Sequence, residues 1–133
     1  RKETKVLLVS HDMDRKDLRD AMFPDCPVRN VLSRMMDKWS LLVLYTLEQN
    51  GTMRFNDLMR SIPDISQKML TVTLKSMVAD GLVSRKVIPA VPVKVEYTLT
   101  ERANSVMPIL DRLLEWSMDH FGEIISERVS HSS

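Results

Sequence analysis

Cysteine occurs once in this chain of 133 residues, glycine three times, and aromatic side chains make up only 5%. One thiol builds neither an intramolecular disulfide framework nor a Cys-rich zinc site, and such sparing use suits a reducing compartment. Three glycines leave no material for a phosphate-cradling loop. No apolar run approaches the roughly 20 residues that span a bilayer, and the N-terminus carries no apolar stretch with a cleavage site. The chain opens on Arg1 rather than Met, so a native start upstream is the expectation. A surplus of one charge is missing too: 19 Lys+Arg face 18 Asp+Glu, a net charge of +1, which argues against a polycation or a disordered chain. His11, His120 and His131 lie in the end segments, and neither HExxH nor a paired Cys/His spacing occurs. Ser10-His11-Asp12 are adjacent in sequence, whereas the members of a catalytic triad meet in space. The expectation is therefore no enzyme, no cofactor and no metal.

What is present reads as one globular domain, 44% apolar and 28% charged. The balanced charge conceals a gradient. Between 54 and 94, seven basic residues (Arg54, Arg60, Lys68, Lys75, Arg85, Lys86, Lys94) outnumber three acids, while 103–133 carries Arg112 and Arg128 against five acids. A basic centre beside an acidic end can orient a molecule on a polyanion.

The chain divides into an extension of uncertain order at 1–22, a domain at 23–125 and a frayed Ser-rich tail at 126–133. Pro27 fits the first turn of a helix with Val28, Val31, Leu32 and Met35 on one side. A second helix, 37–49, is apolar nearly all round and should be buried from several directions before Asn50-Gly51 stops it. Asn56 is positioned to cap a short helix that Pro63 ends, and after a three-residue turn Ser66 caps a third helix to about 80. Two short amphipathic helices so joined form a helix-turn-helix. Leu70, Leu74, Met77 and Val78 make the inward stripe of the second, whose opposite face (Ser66, Gln67, Lys68, Thr71, Lys75) has no acid. Two strands, 82–88 and 93–99, then form a hairpin with Pro89 and Pro92 at its tip. Thr100 caps a long last helix in which Pro108 should force a kink. Ile109, Leu113, Leu114, Trp116, Phe121 and Ile124 cover so much of its circumference that a second chain should lie on it.

Cys26-Pro27, Lys38-Trp39, Arg54-Phe55, the run 65–70 (Ile-Ser-Gln-Lys-Met-Leu), Asp80-Gly81-Leu82-Val83-Ser84-Arg85, Pro92 and the run 95–100 (Val-Glu-Tyr-Thr-Leu-Thr) strongly resemble the HxlR family of bacterial regulators, relatives of the MarR group. The resemblance covers roughly 26–116. It implies a mainly α fold with a β-hairpin wing, a winged helix-turn-helix dimerised through terminal helices. It also implies a cytoplasmic, nucleoid-associated transcription factor, more often repressor than activator, with a redox-sensing cysteine in some members at the place of Cys26. Met36-Asp37 and Ala103-Asn104 stand where the family often has glycine, Lys94 where it often has arginine, and 1–22 has no counterpart.

The chemistry of duplex recognition agrees with that resemblance. A helix carries Gln67 and Lys68 in the turn that meets base edges, with Ser66, Thr71 and Lys75 available to phosphates or bases. Lys86 and Lys94 of the hairpin, with Arg54 and Arg85 at its flanks, would reach an adjacent minor groove or its phosphates. The expected partners are double-stranded DNA, read as a near-palindrome, and a second copy of the chain, with no membrane. Cys26 precedes a helix start, where a thiolate is favoured; it is either a packed side chain or a switch open to a small electrophile or thiol. A winged helix used for protein contacts, and a regulator with a small-ligand pocket between the wing domain and the last helix, are the competing readings.

Overall fold

The structure, a computed structural model, describes residues 27–132, so the expectations placed on 1–22 and on Cys26 lie outside the described residues. Helix α1 (Pro27–Met35) leads into α2 (Lys38–Asn50), where Asp37 caps the start by accepting from the amides of Trp39 and Ser40. Gly51, at φ 76°, takes the left-handed conformation that ends α2. As its all-round apolarity predicts, α2 sits centrally, against α1, α3, α4 and the sheet, and buries Val43, Leu44 and Leu47 almost completely.

The chain then makes a two-residue strand, β1 (Met53–Arg54), before α3 (Phe55–Ser61). Here the structure corrects two expectations. The stretch ahead of α3 is a third strand, too short for a period-two pattern to reveal. Asn56 is not the cap: it lies inside α3, and the first turn is closed instead by Asp57, whose Oδ2 accepts from the Arg54 amide at 3.1 Å. Ile62 is extended, as a residue before proline must be, so α3 stops at Ser61. Asp64, at φ 69°, supplies the left-handed step of the turn, a conformation Asp tolerates better than most residues, and Ile65 is buried as its anchor.

Helix α4 (Gln67–Ala79) starts where Ser66 Oγ accepts from the Met69 amide at 3.0 Å. Leu70, Leu74 and Met77 are buried as predicted, joined by Thr73, and Val78 is half-buried. Strands β2 (Val83–Ile88) and β3 (Lys94–Leu99) pair antiparallel from Val83 opposite Leu99 to Ile88 opposite Lys94, and β1 adds to the other edge of β3. This is a winged helix-turn-helix with a three-stranded wing.

Helix α5 (Glu101–Ser132) begins with Thr100 Oγ1 accepting from the Ala103 amide and continues unbroken through Pro108. It also continues through 126–132, where a frayed tail is expected, with Ser132 Oγ donating to the Val129 carbonyl. Ala103, Met107 and Leu110 are its buried residues; the later turns, about 33 Å of helix, are uncovered apart from a half-buried Asp111 and His120. Where α5 leaves the core, Tyr45 Oη of α2 is buried without a hydrogen-bond partner among the described residues. That burial, with the Asp111 carboxylate close by, pushes the phenol's pKa up.

Candidate nucleic-acid interface

Successive residues of an α-helix are turned by about 100°, which places Gln67, Thr71, Lys75 and Lys68 within one quarter-to-third of the circumference of α4. Gln67, Lys68 and Lys75 are exposed and Thr71 is half-buried. Among the described residues, none of Lys68, Lys75, Arg85, Lys86 or Lys94 makes an ion pair. Their charge is therefore available to an outside anion. Two of the predicted hydroxyls already have local duties: Ser66 caps α4, and Thr71 Oγ1 donates to the Gln67 carbonyl at 2.8 Å. Ser66 keeps its own proton to donate outward.

The wing residues divide by strand alternation. Arg54 faces Glu96 across β1 and β3, and Lys86 faces the same Glu96 across β2 and β3, so one acid sits between two predicted DNA-binding cations. Lys94, opposite Ile88, shares that face near the tip. Arg85 is turned the other way. It pairs with Tyr97, whose ring is buried, and with Thr71 and Lys75 of α4 it borders a cavity between the helix and the wing. The sequence groups Arg85 with Lys86 because they are adjacent; the sheet separates them because adjacent strand residues point to opposite faces. Arg60 is engaged locally, its guanidinium paired with Asp57.

Sequence reasoning passes over two apolar residues on α4, Met69 at 39% and Val72 at 54% exposure, which flank the polar arc. Their signal is present: both fall outside the inward spacing. The six residues predicted for the dimer interface, Ile109, Leu113, Leu114, Trp116, Phe121 and Ile124, are all exposed, from 44% to 64%. Trp116 also stacks on His120, ring centres 4.5 Å apart. Among the described residues no group of His, Cys, Asp or Glu is arranged to hold a metal, and no helix is long and apolar enough to cross a membrane.

Comparison with known proteins agrees with this geometry. The family model described as HxlR-like helix-turn-helix matches residues 34–124. An uncharacterized HTH-type transcriptional regulator of Methanothermobacter thermautotrophicus is 48% identical over 91 residues, covering 68% of this chain and 69% of that one. Among solved structures, a protein described as transcriptional regulator ytfH from Salmonella typhimurium superposes with a TM-score of 0.70 at 34% identity, covering 80% of this chain and 95% of its own. The reduced form of the redox regulator HypR does so with a TM-score of 0.68 at 38% identity, covering 76% and 99%. The chain belongs to the HxlR-like helix-turn-helix family and is a transcriptional regulator of the helix-turn-helix type.

Proposed function

We propose that two copies of the chain, joined through the exposed apolar face of α5, bind a near-palindromic operator and repress transcription from it. The observation that carries the reading is the acid-free arc of α4, with Gln67 and Lys68 in its first turn and no ion pair drawing Lys68 or Lys75 inward. In the major groove, Gln67 can bond adenine and Lys68 guanine, Lys75 meets phosphate, and Val72 can touch a thymine methyl. Lys86 and Lys94 follow the adjacent minor groove or its phosphates, their field trimmed by Glu96. A two-fold dimer calls for half-sites about one helical turn, or a multiple of it, apart.

The test is fluorescence anisotropy with DNA from upstream of the chain's own gene. Affinity should fall by orders of magnitude between about 50 and 200 mM salt if roughly six to ten phosphates are neutralised per dimer. Flat binding over that range, or a monomer at micromolar concentration, overturns the reading in favour of a protein-interaction module.

Similarity to a redox regulator favours a second element, thiol control of operator occupancy through Cys26, the chain's one cysteine. With no second cysteine, the reaction is a disulfide between subunits, a mixed disulfide with a small thiol, or alkylation by an electrophile. Operator release on mild oxidation should vanish in Cys26→Ser; release that persists removes this element and leaves the DNA reading intact.

A further inference from the structure

The cavity between α4 and the wing has a volume of about 400 Å³, within the range of small-molecule sites. Its floor is apolar: Phe55 of α3, Leu74 and Val78 of α4, and Tyr97 of β3. Lys75 and Arg85 stand at its rim, and neither has an ion-pair partner among the described residues. No carboxylate lines it. No residue of α5 does either, so this is not the wing-to-last-helix pocket that the sequence leaves open.

These walls discriminate among occupants. An ammonium compound meets two like charges. A bare phosphate satisfies the cations but leaves the apolar floor against water. A neutral hydrocarbon covers the floor and does nothing for the cations. The class that answers both is a small organic anion with an apolar body. We propose that this cavity binds such a molecule, an aryl or short alkyl carboxylate, with its carboxylate between Lys75 and Arg85 and its body against Phe55, Leu74, Val78 and Tyr97. A carboxylate takes charge-assisted hydrogen bonds from both cations, and Arg85 can engage it with two parallel bonds. Such an occupant neutralises Lys75 and covers Thr71, so it opposes DNA; this consequence, unlike the binding itself, rests on the function proposed above.

The experiment has two arms. In the first, the full chain without DNA is titrated calorimetrically with 2-naphthoate, the uncharged 2-naphthamide and inorganic phosphate. Naphthoate should bind with a Kd below about 1 mM, and the other two at least about tenfold more weakly. Arg85→Gln and Lys75→Gln, both at exposed positions without partners, should each weaken naphthoate by about fivefold or more while leaving the thermal midpoint in place. The site is overturned if naphthoate gives no heat up to about 10 mM, if naphthamide matches it, or if both substitutions leave it unchanged. Phosphate binding as tightly as naphthoate also overturns it and makes the cavity a seat for the DNA backbone. In the second arm, naphthoate is added to the protein–DNA complex. Displacement supports antagonism, and joint binding overturns antagonism alone. Naphthoate binding by a chain that binds no DNA sustains the site and sinks the regulator reading instead.

Discussion

Arg34 of α1 grips Asp80, the residue that closes α4, through two parallel hydrogen bonds, Nε to Oδ2 at 2.8 Å and Nη2 to Oδ1 at 2.9 Å. From the opposite side, Arg102 of α5 donates to the Asp80 carbonyl at 2.8 Å and Thr100 Oγ1 to the Gly81 carbonyl at 2.6 Å. The C-terminal end of α4 is thus held by both flanking helices, which sets the direction in which its polar arc points.

The Arg34–Asp80 pair is bidentate but wet, with side chains 45% and 23% exposed. A double-mutant cycle with Arg34→Ala and Asp80→Ala should return a coupling of about 0.5–1 kcal/mol in denaturant titrations. Coupling above about 2 kcal/mol would mean that the pair is far better shielded than its exposure indicates.

Gly81 is required on two counts. Its φ is +75°, and a Cβ there would lie 2.2 Å from Arg102 Nη1. Gly81→Ala should cost about 1–2 kcal/mol, part from the left-handed backbone and part from the displaced guanidinium. Adding Arg102→Ala removes the clash, so alanine at 81 should cost less in that background than in the wild type. Gly51 has the same sign of φ but open space around it, so Gly51→Ala should show the backbone cost alone. Equal costs at 81 with and without Arg102 would exclude the clash.

Lys68→Ala should weaken operator binding by about 1–3 kcal/mol if Lys68 reads a base, and should weaken random DNA much less. A matched loss on both, with a shallower salt dependence, would identify Lys68 as a phosphate contact.

The phenol of Tyr45 is held above the ordinary tyrosine pKa of about 10 by burial and by the nearby Asp111. The folded state therefore keeps this proton more firmly than the unfolded chain. The resulting stability is complete below about pH 10 and is lost as pH rises through the raised folded value. Urea unfolding from pH 8 to 11 should show that loss in the wild type and a flatter profile in Tyr45→Phe. At neutral pH the substitution should be neutral or mildly stabilising, because Oη has no partner to lose.

Chemistry confined to a few neighbouring residues was legible before any coordinates. Ser66 and Thr100 cap their helices, Pro63 curtails α3, Leu70, Leu74 and Met77 turn inward, and the acid-free face of α4 turns out. Each follows from hydrogen bonds or periodicity within about two turns of chain. The Asn56 cap was misjudged because two side chains compete for the same first turn, and Asp57 reaches the Arg54 amide. Tertiary structure alone decided the rest. Arg34 meets Asp80 across 46 residues, β1 exists because β3 is there to pair with it, and the register of β2 on β3 sends Arg85 toward α4 and Lys86 away. The cavity beneath Lys75 and Arg85 belongs to that second group, since its walls come from a short helix, a long helix and two strands. Local sequence sets which groups a helix or strand can offer; where those groups converge depends on the packing of elements distant in the chain.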